Sequence, residues 1–140
     1  MSIRNLSGGS SLMKPSPARV ELTFNEHSEY LHARISAPFI DSATGMWYLG
    51  EIFLECANRR KKKLLLERDI PCMMPQDELV STMDHLVSMQ LDTRIAFLNP
   101  HAAVADELKQ IIKYGSEQGA KFKYFEAFEE AEQWLLHDGE

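Results

Sequence analysis

The amino-acid sequence predicts a single α/β domain of order ββαβαβαβα, with a mixed, mostly parallel sheet and flanking helices. Three observations predict it. Val20, Leu22 and Phe24, then Leu31, Ala33 and Ile35, alternate with polar neighbours on either side of Asn25-Glu26-His27-Ser28-Glu29, the pattern of a hairpin. Leu64-Leu65-Leu66 and Ile95-Ala96-Phe97-Leu98 show no alternation, as expected of parallel strands covered on both faces. Segments with apolar residues at helical spacing separate and follow these runs, so strands and helices take turns.

Residues 1–18 contain Ser7-Gly8-Gly9-Ser10-Ser11 and Pro15-Ser16-Pro17 and are expected to be a flexible tail. The domain then spans 19–140. Its hairpin covers Arg19 to Ser36, and Pro38 breaks the extended run. Asp41 or Ser42 suits the N-cap of the first helix. There Ala43, Met46, Trp47, Gly50, Phe53, Leu54 and Ala57 recur at spacings of three and four, which predicts the buried stripe. Tyr48, Leu49 and Ile52 widen the apolar surface, as for a helix covered on two sides, by the sheet and by another helix, a lipid or a second copy of the chain. Arg59-Arg60-Lys61-Lys62-Lys63 closes this helix, matching the dipole or offering a phosphate or headgroup patch.

After the Leu64-Leu65-Leu66 strand, Glu67 to Met74 reads as a loop, and Pro75 suits a first helical turn. Leu79, Val80, Met83, Leu86 and Val87 form the second helical stripe. Asn99-Pro100 stops the next strand. Val104, Leu108, Ile111, Ile112 and Gly115 mark the third helix, with Gly119 at its C′ position. Lys121-Phe122-Lys123-Tyr124-Phe125 alternates as an edge strand should, and Ala131, Trp134 and Leu135 anchor a closing helix.

Composition narrows the function classes. A chain of 140 residues, 44% hydrophobic and 26% charged, is long enough for one real core. No apolar stretch reaches the ~18 residues of a membrane span, so stable membrane insertion is not expected. Without a signal-like segment, and with only Cys56 and Cys72, a reduced cytoplasmic setting is the expectation. The net charge of −6 comes from the last fifteen residues, which hold six acids and no Lys or Arg, while the preceding 125 carry 15 acids and 15 bases. That distribution argues against nucleic acid as a partner. Neither a Walker loop nor a dinucleotide fingerprint occurs, and no histidine pair has metal-ligand spacing, so no cofactor and no metal are expected.

The leading hairpin, the strand entry Lys62-Lys63-Leu64-Leu65-Leu66-Glu67, the strand Arg94-Ile95-Ala96-Phe97-Leu98 and the closing Glu129-Glu130-Ala131-Glu132-Gln133-Trp134-Leu135 together resemble the STAS family, in its sporulation anti-anti-sigma-like branch. The resemblance covers about residues 20–136. It implies a four- or five-stranded mixed sheet with packed helices, and a non-enzymatic regulatory or ligand-sensing role. Regulated members carry a phosphorylatable Ser or Thr at the start of the helix after the central strand. Here Asp69-Ile70-Pro71-Cys72-Met73-Met74-Pro75 has no hydroxyl, and Ser81 and Thr82 fall later. The design is also similar to lipid-carrying domains, which implies an apolar ligand in a comparable cleft.

Open α/β sheets bind ligands beyond the carboxyl ends of their parallel strands. Three loops meet there and nominate Phe39, Asp41, Asp69, Cys72, Met73, Met74, Asn99 and His101 for a ligand or a protein partner. Cys72, His101 and Asp69 have the types of a nucleophile, a base and an orienting acid. No glycines let backbone amides converge on an anion there, so the expectation is a non-enzymatic binding module. Met73 and Met74 either line a groove through their adaptable thioethers or pack at the core rim. If the ligand is apolar and lipid-like, Phe39, Met46, Met73 and Met74 are expected to line its pocket.

Overall fold

A computed structural model describes residues 20–89 and 92–137. The tail expected over 1–18 lies outside the described residues, as do Asp138 and Glu140. The elements follow the expected order: β1 (Glu21–Glu26), β2 (Leu31–Ser36), α1 (Ser42–Asn58), β3 (Lys63–Asp69), α2 (Gln76–Met89), β4 (Arg94–Leu98), α3 (Ala105–Glu117, after a 3-10 turn at Ala102–Val104), β5 (Lys121–Phe125) and α4 (Phe128–Leu136).

The sheet order is β1-β2-β3-β4-β5, with β1 antiparallel to β2 and every other pair parallel. Each crossover moves one strand further in the same direction. Right-handed connections then place all three crossover helices on one face. Leu31, Ala33, Ile35, Leu64, Leu66, Ile95, Phe97 and Phe122 point into that layer, against Ile52 of α1, Met83 of α2 and Ile112 of α3. The opposite face carries Leu65, Ala96, Leu98 and Phe125, covered by Ala131 and Leu135 of α4. Tyr30 joins this smaller core and donates from its hydroxyl to Glu132 at 2.7 Å. The strand runs without alternation are thus explained, because β3 and β4 are covered twice.

The stripe expected on α1 is corrected. Thr44, Tyr48, Ile52, Phe53 and Cys56 are the buried residues, whereas Ala43, Gly50, Leu54 and Ala57 face solvent. Apolar residues surround most of this helix, so spacing alone could not choose its inward face. On α3 the expected stripe is the buried one, because charged residues fill the rest of that helix.

Helices α1 and α3 end in the same motif. Arg60 N–H donates to Ala57 O and Lys61 N–H to Cys56 O, and Gly119 and Ala120 repeat the pattern on Ser116 and Gly115. The left-handed residue is Gly119 in α3 but Arg60, at φ 57°, after α1. The basic run therefore begins at the cap rather than inside the last turn. Arg59 pairs with Glu55 at 2.9 Å and Glu26 at 3.2 Å, and Lys61 donates to the carbonyls of His27 and Ser28 at 2.8 and 2.9 Å. These cations clasp the β1–β2 turn. The acids of the closing segment include Glu129 and Glu130 in the first turn of α4, where the helix dipole favours negative charge.

Candidate functional site

The sequence reading ends β3 at Leu66, but the strand continues through Glu67 and Arg68 to Asp69. Those polar residues stay extended because β2 supplies partners in register: Arg34 lies opposite Glu67, and Ser36 opposite Asp69. The pleat then sends alternate side chains to opposite faces. Glu67 and Asp69 point to the face that α4 leaves open beside β1 and β2. Arg68 points into the helix-covered layer, where it borders a cavity.

On the open face five titratable side chains form one chain. His32 Nε2 contacts Glu67 at 2.9 Å, and Arg34 Nε reaches Glu67 at 3.5 Å. Arg34 Nη2 donates to Asp69, which also accepts from Ser36 Oγ at 3.0 Å and contacts His101 Nε2 at 2.7 Å. The His101 contact, then Ser36 and the Arg34 charge, hold the Asp69 carboxyl below the usual carboxylate range, against the opposing effect of burial. Asn99, buried, fixes the loop that presents His101. Its amide donates to His101 O at 2.8 Å and Tyr124 Oη at 3.0 Å, while its carbonyl accepts from His101 N–H at 3.0 Å.

Of the nominated residues, the fold brings Asp69, Asn99 and His101 together. Asp41 is an N-cap, accepting from Thr44 N–H at 2.8 Å, a bond that lowers its carboxyl below the usual range. Phe39 is exposed, Cys72 is an exposed free thiol, and Met73 packs at the rim of the core. Asp69 accepts from Ser36 and Arg34 as well as meeting His101, so the imidazole is held in a charged lattice rather than aimed at a thiol. No group of three or more metal-ligating side chains is assembled among the described residues. Arg34, Glu67, Ser36 and His32 were missed by sequence reasoning. Their signal was the polar alternation of His32, Arg34 and Ser36 along β2, matched by Glu67 and Asp69 two apart.

The two cysteines differ. Burial pushes the Cys56 thiol up to about 12, while Cys72 is exposed. Iodoacetamide is therefore expected to label one thiol of the native protein, and Cys72→Ser to abolish that labelling, by intact mass. Labelling of Cys56 without denaturant contradicts the packing of α1.

The second feature is an apolar cavity of about 110 Å³ over the carboxyl ends of β2, β3 and β4, roofed by α1, α2 and α3. Ile35, Leu66 and Phe97 form its floor, and Leu49, Ile52, Leu79, Leu86 and Ile111 its walls. Met74 borders it, as the pocket expectation had it, but Phe39, Met46 and Met73 do not. Thr82 also lines it, its hydroxyl 3.0 Å from Ser42 Oγ and 3.6 Å from Met74 Sδ, so α1, α2 and the β3–α2 loop are tied at one wall.

No protein-family model matches the chain, and no curated protein is significantly similar to it in sequence. No helix among the described residues is long and apolar enough to cross a membrane. What the fold and site define is an α/β domain with a five-stranded mixed sheet and a cavity at the strand ends.

Proposed function

We propose that this protein is a non-enzymatic STAS-like binding module that reversibly holds a small apolar ligand between the sheet and its crossover helices. The cavity carries the reading. At about 110 Å³, lined almost wholly by apolar side chains, it is of the order of the ~150 Å³ cavities that stay dry and take up benzene-sized guests. Its place beyond the strand ends is where open α/β sheets hold ligands. Polar side chains near the strand ends are engaged with one another, which favours holding a ligand over transforming it.

Gly45 supplies the test. It lines the cavity from α1, and a Cβ built there meets no atom within 4 Å. A side chain at this position thus starts from an unobstructed Cβ at the cavity wall, so Gly45→Leu is expected to take up cavity space, and exchanging a helical glycine for leucine favours the helix by up to about 1 kcal/mol. Gly50→Leu, also in open space but outside the cavity, is the control. Titration with hexan-1-ol, followed by methyl NMR, is expected to shift Ile35, Ile52, Leu86 and Ile111 in the wild type and in Gly50→Leu. Gly45→Leu is expected to lose the response. Unchanged binding by Gly45→Leu overturns the reading.

A further inference from the structure

One charged side chain borders the cavity. Arg68 is partly buried, and its guanidinium donates to two backbone carbonyls, Ile70 O at 2.9 Å from Nη1 and Cys72 O at 2.8 Å from Nη2. Among the described residues no carboxylate stands within ion-pair distance of it. Two other arginines sit between carboxylates. Arg34 lies between Glu67 and Asp69, and Arg59 between Glu26 and Glu55. Burial pushes Arg68 down to about 10, so it keeps its charge at neutral pH.

The Glu107 carboxylate and the Cys72 thiol act on this guanidinium only from beyond contact distance, so an anion placed directly against a cation at the edge of an apolar cavity is favoured. A guanidinium has five N–H donors, and two carbonyl bonds leave others for an anion. Those same two bonds hold the head in place where β3 runs into the loop toward Met74, which also lines the cavity. An apolar tail in the cavity and a planar anion on Arg68 can thus be satisfied at once. One guanidinium balances one negative charge and matches a carboxylate's two oxygens, whereas a dianionic phosphate calls for further cations.

Resting on the binding reading above, we propose that the ligand is a short-chain carboxylate, its tail in the cavity and its head anchored by Arg68. The experiment is NMR titration of the full chain with hexanoate, hexan-1-ol, hexylammonium and hexyl phosphate, which share a tail and differ in head. Hexanoate is expected to bind about tenfold or more tighter than hexan-1-ol, the scale of one charge-assisted hydrogen bond, and hexylammonium more weakly than either. Arg68→Gln is expected to bring the ratio of hexanoate to hexan-1-ol affinity to about one, and Arg68→Lys to retain part of the preference. Equal binding of hexanoate and hexan-1-ol by the wild type overturns the anchor and leaves the cavity reading standing. Tighter binding of hexyl phosphate than hexanoate overturns the carboxylate assignment. If none of the four probes binds, the cavity reading fails as well. The head-group comparison needs only the wild-type chain, so it decides the matter even if an Arg68 variant does not fold.

Discussion

Ile52→Ala is expected to lower the unfolding free energy by about 2–5 kcal/mol, and Leu54→Ala to change it by only about 0.5 kcal/mol. Ile52 is 0% exposed and Leu54 is 55% exposed, although they lie two residues apart on α1. The isoleucine sits in the main core and in the wall of the cavity. Truncating it adds new void to an existing one, which the sheet floor and α2 cannot close without moving together. The leucine meets water already, and alanine is the better helix former. Urea unfolding of the two variants measures the difference. Comparable losses at both positions contradict the orientation assigned to α1.

Asp69→Asn is expected to cost about 1.5–3 kcal/mol near neutral pH, the range for hydrogen bonds to a charged group. Asp69 is the node shared by Arg34, Ser36 and His101, so its charge supports three partners. The sign of the pH dependence follows from its lowered carboxyl pKa. Its contribution is fully present above the unfolded value of about 3.9 and is lost as pH falls through the lower folded value. The gap between wild type and Asp69→Asn is therefore expected to be wide at pH 5 and to narrow progressively below about pH 4. Denaturant unfolding at a series of acidic pH values measures it. A gap that stays constant down to pH ~2 shows that the Asp69 charge contributes nothing to stability.

Legibility differed from element to element for physical reasons. The stripe on α3 was readable because Leu108, Ile111, Ile112 and Gly115 share one side while Asp106, Glu107, Lys109 and Lys113 occupy the rest. Its end was readable too, since Gly119 adopts φ 104°, a conformation natural to glycine. Helix α1 has apolar residues around most of its circumference, and Thr44 and Tyr48 carry hydroxyls, so the buried choice fell on residues that a hydrophobic count undervalues. The same helix ends on Arg60 at positive φ, which no propensity indicates. The last three residues of β3 look like loop because Glu67, Arg68 and Asp69 are charged. They are extended because cross-strand partners accept them.

The candidate sites divide along the same line. A cluster at the strand ends was predictable from connection rules, and the end of β3 and the loop after β4 bring Asp69, Asn99 and His101 within reach of one another. The Arg34–Glu67 contact depends on the register of two strands separated by a whole helix, and the cavity on how three helices leave a gap above one sheet face.

What the sequence determined by itself was the order of strands and helices and the mostly parallel character of the sheet. Local spacing and apolar runs without alternation are enough for that. Tertiary structure alone decided which side of α1 is buried, that β3 extends to Asp69, and that Arg68 faces the cavity while its neighbours face the open side. Those outcomes rest on contacts between residues distant along the chain, where the energy of a side chain is set by the partner it meets rather than by its own type.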